Sequence, residues 1–322
     1  MTRFLIRRLI FAVLLVVVSS SAALFLTRLA PGDLASSLGP NATRAEIAAA
    51  RARFDLDRPM IEQWRLWVTR AVKLDFGESL LYGRPVGPLV TSAAANSAVL
   101  GITALLVATV LGLSLGIFTG ARRRGAATAI VRAISIGFLS IPPLITSLLL
   151  VFIAARTGWL PLGGVTSAGA SAETWGAWIA DVASHLPLPV LAIALPLAAT
   201  FERLQSQALG ETLNLPFVLA ASARGVSERA AILRHAWPAS LRAICAVYGI
   251  VIGAVLSGSF VVEYVTAWPG LGRLMYDALK ARDIYLVAGC AAMGASLLAA
   301  GTLIGDLMLA AADPRVREEA AV

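Results

Sequence analysis

Apolar positions fall in six long runs along this chain, separated by polar connections: Leu9–Leu29, Ser97–Gly120, Ile130–Ala154, Leu186–Phe201, Ala243–Thr266 and Tyr285–Ala311. A helix needs about 20 mainly apolar residues to cross the hydrocarbon core of a bilayer. A helix also satisfies its own backbone hydrogen bonds where no water is present. The pattern therefore predicts an all-α, polytopic membrane protein with six transmembrane helices. Two runs carry prolines. Pro142-Pro143 predicts a break in the third, while Pro187, Pro189 and Pro196 predict a short fourth span, kinked or partly re-entrant.

The polar stretches set the organisation. Residues 1–30 form an amino-terminal segment and first helix, 31–96 an outer helical cap, 97–311 a membrane core, and 312–322 a tail. The first run, preceded by Arg3, Arg7 and Arg8, is too long for a signal-peptide core and reads as an uncleaved anchor. In the cap, Thr43 followed by Glu46 is a capping box that opens a helix. Ile61, Trp64, Leu66, Trp67, Val68 and Ala71 predict a second, amphipathic helix along the membrane surface, with its tryptophans in the interfacial belt. Gly163–Glu173 is Gly/Ser/Ala-rich and reads as a flexible outer loop. No internal repeat emerges, so duplicated halves are not supported.

The stretch at 205–242 stands apart, because it mixes helical apolar spacing with basic residues over nearly the length of two spans. Leu219, Ala220, Ala221 and Ala223 offer a small, close-packing surface, Gly225 breaks the helix, and a second helical run from Ser227 ends near Pro238. Two short helices around a glycine turn form a shape that docks in a partner's cleft.

Composition agrees with the span pattern. Of 322 residues, 58% are hydrophobic and 14% charged, against about 25% charged in soluble domains. Mean hydropathy is +0.79. The net charge of +8 sits beside apolar spans, which points to membrane orientation and not to nucleic acid. Thirteen basic residues flank the short connections of one side: Arg3, Arg7, Arg8, Arg122, Arg123, Arg124, Arg132, Arg224, Arg229, Arg234, Arg242, Arg315 and Arg317. Four flank the other: Arg156, Arg273, Lys280 and Arg282. The positive-inside rule then places both termini and the 205–242 loop in the cytoplasm.

Autonomous chemistry is sparse. The chain has no Gly-Lys pair, hence no P-loop for a nucleotide's phosphates. His185 and His235 fall on opposite sides of the membrane, and Cys245 and Cys290 at opposite leaflets, so neither pair suggests a metal site or a bridge. Glu202, beside Arg203, reads as an ion-paired interfacial residue, and Asp306 either as a partner for an inner basic group or as part of the path's lining. Glu263 closes the fifth span either as an interfacial residue or at the outer gate of a solute path. After it, Trp268 suits the outer interface, Pro269 stops the span, and Gly270 and Gly272 permit a tight turn. Arg273 and Asp277 then fall four apart on one helical face. An ion-coupled carrier or channel working alone would need several buried acidic or histidine residues in the spans. The chain has instead a membrane body, a docking-like loop, and no energy source of its own.

Four blocks carry a resemblance: RRLIFAV with LFLTRLAPGDLASSLG; FDLDRPMIEQW with DFGESLLYGRPV; PFVLAASARG within 205–242; and GSFVVEYVTAWPGLGRLMYDALKARDIYLV. Together the chain resembles the inner-membrane permease subunits of binding-protein-dependent ABC importers, in the dipeptide/oligopeptide/nickel family, and among them the first of the two permeases. In the EAA-type motif of such permeases, Ala220 and Ala221 take the alanine positions, Gly225 the glycine and Pro238 the proline. Phe217, Val218, Ala221, Ala223 and Gly225 keep the subfamily pattern, with Arg224 in place of a lysine. Leu219 replaces the acidic residue, and His235 and Trp237 replace later aliphatics.

The resemblance implies a bacterial inner-membrane subunit that forms half of a solute pathway, as a heterodimer with a second, homologous permease. It implies two ABC ATPase subunits that carry the ATP and magnesium, so that this chain holds no cofactor and is not itself an enzyme. It further implies an extracytoplasmic solute-binding protein. Di- or oligopeptides are the expected cargo, with nickel or another small solute as the alternative.

Overall fold

The computed structural model describes residues 2–29, 43–53, 57–122, 124–167 and 174–312. Expectations at Arg123, Arg315, Arg317, residues 30–39 of the amino-terminal block and residues 54–56 of the second block lie outside those residues, as does 168–173 of the glycine-rich loop. The chain is helical nearly throughout. In order come α1 (Thr2–Leu29), α2 (Arg44–Arg53), α3 (Met60–Ala71), the strands β1 (Glu78–Ser79) and β2 (Arg84–Pro85), and α4 (Val86–Ala121). Then follow α5 (Ala126–Ser140), α6 (Pro143–Thr157), α7 (Trp175–His185), α8 (Pro187–Thr212) and α9 (Pro216–Ala223). The last are α10 (Glu228–Ala230), a π-helical turn (Ala231–Ala236), α11 (Trp237–Val265), α12 (Leu271–Ala281) and α13 (Ile284–Ala312). Among the described residues five helices are long and apolar enough to cross a membrane, or up to six if α5 and α6, bent by 108°, count as one span.

Several boundaries differ from the sequence reading, and the prolines explain most of them. The fourth span is not short: α8 runs 26 residues to Thr212. Pro187 and Pro189 open it, at positions whose N–H groups have no intrahelical partner in any helix, so proline costs nothing there. Residues 205–212 consequently belong to α8 and not to a loop. Pro143, Pro216 and Pro238 open α6, α9 and α11 in the same way. The second helical run therefore does not end at Pro238. The π turn before it, where the Trp237 N–H reaches Ile232 O, re-routes the ladder and lets the helix continue to Val265. α4 begins at Val86, well before the expected Ser97, while α7 and the β1–β2 hairpin fall where no element was expected.

The residues form two compact bodies. Among the described residues, one comprises those of 2–5, 99–268 and 300–312; the other comprises those of 6–98 and 269–299. In the first, α8 packs against α5, α6 and α11. Its core gathers Leu100, Ala104, Ala108, Ile193, Ala198, Phe201, Tyr248 and Trp268. Along α4, Gly112, Gly116 and Gly120 face α8 at every fourth residue. A Cβ on Gly116 would lie 2.6 Å from Gln205 Cβ and 2.8 Å from Glu202 O, and one on Gly112 2.7 Å from Ala198 O. Lipid supplies no hydrophobic drive for helix association, so backbone proximity through small residues takes its place. Gly305 on α13 meets Gly249 on α11 in the same manner.

In the second body, α3 lies on α1. Trp67 is buried, the Trp64 indole N–H donates to Ser21 Oγ at 2.8 Å, and Trp64 stacks on Phe25. These tryptophans thus face protein and not the interfacial belt expected for them. The capping box forms: Thr43 N–H donates to Glu46 Oε2 at 2.8 Å, and Glu46 N–H to Thr43 Oγ1 at 3.2 Å.

Candidate functional site

The docking-like segment is α9, a turn at Arg224–Gly225, α10 and the π turn. Proline at the first position and a left-handed glycine at the end, φ +85° at Gly225, delimit α9. Val226 N–H closes the turn onto Ala221 O at 3.3 Å. A Cβ at Gly225 would meet nothing within 4 Å, so backbone conformation and not space demands glycine there.

The residues singled out here divide into two faces. Val218 and Ala221 are buried and form a small core with Leu209, Ala231 and Ala236, flanked by Ile117 and Trp237. This core fastens the segment to the ends of α8 and α11. Phe217 and Leu219 are 46% and 56% exposed, and Ala220, Ala223, Arg224, Gly225 and Pro238 are exposed with them. His235 is half-buried on the π turn. Two large apolar side chains standing in the open beside alanines and a guanidinium form a contact face without an occupant among the described residues.

The residues singled out at the other end of α11 fall in both bodies. Glu263 (0% exposed) and Trp268 (1%) belong to the first body and are buried. Trp268 packs into the core that α8 and α11 share and does not stand at the protein's surface. The glycine turn is corrected. Gly270 is extended, with φ −93°, Gly272 lies inside α12, and the left-handed residue of the corner is Ala267, at φ 52°.

Pro269, Gly270, Arg273 and Asp277 belong to the second body. They line a cavity of about 630 Å3 with Tyr82, Arg84, Pro88 and Asn96. Two bonds hold the start of α12 against α4. Ser97 Oγ accepts from Leu271 N–H at 2.7 Å, and Asn96 Nδ2 donates to Pro269 O at 2.9 Å. Burial, and then the nearby Asp277 carboxylate, push the Tyr82 phenol above its ordinary value.

One residue absent from the sequence reading holds this region together. Asp283 is fully buried between α12 and α13. Its Oδ1 accepts from Leu286 N–H at 3.1 Å, capping α13. Its Oδ2 accepts from Ser79 Oγ at 2.6 Å and Leu81 N–H at 3.1 Å, pinning the hairpin. An Asp immediately before an apolar run is a helix-start signal, and it was available in the sequence.

A second cavity, of about 640 Å3, lies in the first body between α4, α5 and α8. Glu202 lines it but is only 2% exposed, and the Thr119 hydroxyl donates to its Oε1 at 2.5 Å. It is not the interfacial ion pair expected with Arg203, whose side chain is exposed. Cys245 and Cys290 are free. Among the described residues no group of three or more His, Cys, Asp and Glu is placed to hold a metal ion.

The family model described as binding-protein-dependent transport system inner membrane component matches residues 112–318, and its N-terminal companion matches 1–110. The oligopeptide transport system permease protein OppB of Mycobacterium tuberculosis (strain ATCC 25618 / H37Rv) is 30% identical over 325 residues, covering 98% of this chain and 99% of that one. At the same coverage, AppB, an oligopeptide transport system permease protein of Bacillus subtilis (strain 168), is 26% identical. The glutathione transport system permease protein GsiC of Escherichia coli O1:K1 / APEC is 28% identical, again over the same shares. With both family models spanning nearly its whole length, and five or up to six apolar helical spans among the described residues, the chain belongs to the inner-membrane components of binding-protein-dependent transport systems.

Proposed function

We propose that this chain is the first-type permease of an ATP-driven importer of di- or oligopeptides, lining half of the pathway beside a second, homologous permease. An extracytoplasmic binding protein delivers the peptide, and one of two ATPase subunits docks on the face of α9. Both termini and that face lie in the cytoplasm, in keeping with the thirteen-to-four distribution of basic residues. Hydrolysis takes place in the ATPases, since no nucleotide-binding motif occurs here. The names of the full-length relatives support the peptide cargo.

One observation carries the coupling role: α9 is two-faced, with Val218 and Ala221 fixed to the roots of α8 and α11 and Phe217 and Leu219 exposed. Closure of the ATPase pair on ATP moves the exposed face, and the buried face passes the displacement to both helices. ATP drives the change by favouring the closed ATPase pair over the open one.

The test is Gly225→Val, which places a β-branched residue in a left-handed turn at a cost of about 1–2 kcal/mol. Peptide uptake by vesicles holding the whole importer is expected to fall at least tenfold while the chain stays in the membrane. Undiminished uptake would remove the coupling role from this turn. Competition by nickel, but not by peptides, would reassign the cargo.

A further inference from the structure

The cavity between α4, α5 and α8 holds charges that the coupling scheme leaves unused. Its volume, about 640 Å3, falls within the roughly 300–1,000 Å3 of small-ligand sites. Glu202 and Glu211 line it together with Arg132, Arg203, Ser206 and Asn214. Glu211 is engaged, accepting from Gln207 Nε2 at 3.2 Å. Glu202 differs: it is buried, and among the described residues its hydrogen-bond donor is a neutral hydroxyl. No ion pair joins it to Arg132 among the described residues, and the Arg132 Nη2 donates to Thr119 O at 3.1 Å. Arg203 has no partner among the described residues.

A carboxylate withdrawn from water is costly to keep without a cation. Here the anion sits in the wall of a cavity and two guanidinium groups stand exposed at the same cavity. Fixed charges of opposite sign around one space complement a ligand that carries both, an ammonium and an oxyanion.

We propose that this cavity is a transit site for the zwitterionic backbone of the peptide cargo. Glu202 takes the α-ammonium, and Arg203 with Arg132 takes the terminal carboxylate. The assignment rests on the peptide reading above and adds to it a place and a polarity. A zwitterionic lipid headgroup presents the same two charges, so the test must separate the two sources.

The complete importer with its binding protein is reconstituted in phosphatidylglycerol vesicles, free of amine lipids. Uptake of a dipeptide is compared with that of its N-acetylated form, each scaled to its affinity for the binding protein. Glu202→Gln keeps the acceptor for Thr119 but loses the charge, and a charge-assisted bond exceeds a neutral one by enough to give about a tenfold effect. Free-dipeptide uptake is expected to fall about tenfold, with N-acetylated uptake and stimulated ATP hydrolysis unchanged. Arg203→Gln is expected to act in the same way on carboxylate against amidated peptides.

Equal losses for both forms would make Glu202 a structural support, and no loss would remove the site. A loss seen only after phosphatidylethanolamine is added would assign the cavity to lipid. Should the wild type transport neither form, the peptide reading itself fails. Saturation-transfer NMR of the same two ligands on the detergent-purified importer then decides the site separately. Binding of the free dipeptide that Glu202→Gln abolishes sustains it, and binding indifferent to that change overturns it.

Discussion

The contact of α4 with α8 and the cluster around Asp283 show two ways of fixing helices. At the first, glycines at every fourth position bring backbones so close that a single added carbon would fall 2.5–2.9 Å from its neighbours. At the second, one carboxylate collects two backbone N–H groups and a hydroxyl from residues over two hundred apart in sequence. The first is shape alone, suited to lipid, where apolar burial gains nothing. The second is polar and directional, and it holds a two-residue-stranded hairpin too short to be stable by itself. The difference predicts distinct failures: overpacking should break the first as a whole, whereas loss of the carboxylate should release only a segment of the second.

The largest effect belongs to Gly116→Leu. Its side chain would have to displace the α8 backbone at Glu202 O, which cannot swing aside as a side chain tip does. Overpacking of this kind costs about 3 kcal/mol, the upper end of its usual range. The expected result is a sharp fall in the fraction recovered as monodisperse protein and a lower thermal midpoint. Gly137→Leu on α5, where a Cβ would meet nothing within 4 Å, is the control and should change neither. Equal behaviour of the two variants would mean that the α4–α8 approach is not as tight as the glycines indicate.

Asp283→Ala comes next. Hydrogen bonds to a charged acceptor contribute about 1.5–3 kcal/mol, and their loss is local. Hydrogen exchange should accelerate at Leu81 and Leu286, while α8 and α11 keep their protection. Asp283→Asn retains one carbonyl oxygen and should lose less. Global destabilisation by Asp283→Ala would erase the contrast between the two regions.

The helical class, the spans and the docking segment were legible because they rest on local signals: apolar run length, a capping pair, and a glycine that ends a helix. Span ends were less so. Proline reads as a breaker, yet Pro143, Pro187, Pro216 and Pro238 each start a helix, and which role a proline takes depends on the register of the turn that follows. Gly112, Gly116 and Gly120 form a G-x3-G-x3-G pattern visible in the sequence, but the helix it meets is not. The burial of Trp268 and Glu263 was missed because position along a span says nothing about which side faces protein. The burial of Glu202 is hidden in the sequence for the same reason. Its cavity is built by the neighbouring helices α4 and α5 together with α8, which is distant from them in sequence.

The smallest effect tests the weakest polar device, the box at the start of α2. Glu46 is fully exposed, and the Thr43 backbone N–H, followed by the Thr43 hydroxyl, holds its carboxyl below the ordinary value of 4.5. A carboxylate whose value is lowered on folding stabilises its helix above 4.5, and that support disappears as pH falls through the lowered value. α2 should therefore hold its start at neutral pH and fray on acidification. Removing the hydroxyl in Thr43→Ala should move the Glu46 titration, followed by carbon NMR, part of the way back towards 4.5, because the larger cause, the backbone N–H, remains. Salt should have little influence, since a hydrogen bond to the residue's own helix start and not a distant charge sets the shift. If the midpoint does not move, the hydroxyl adds nothing to the box in solution. Exposure to water would then have cancelled a device of the same chemistry that burial makes effective at Asp283.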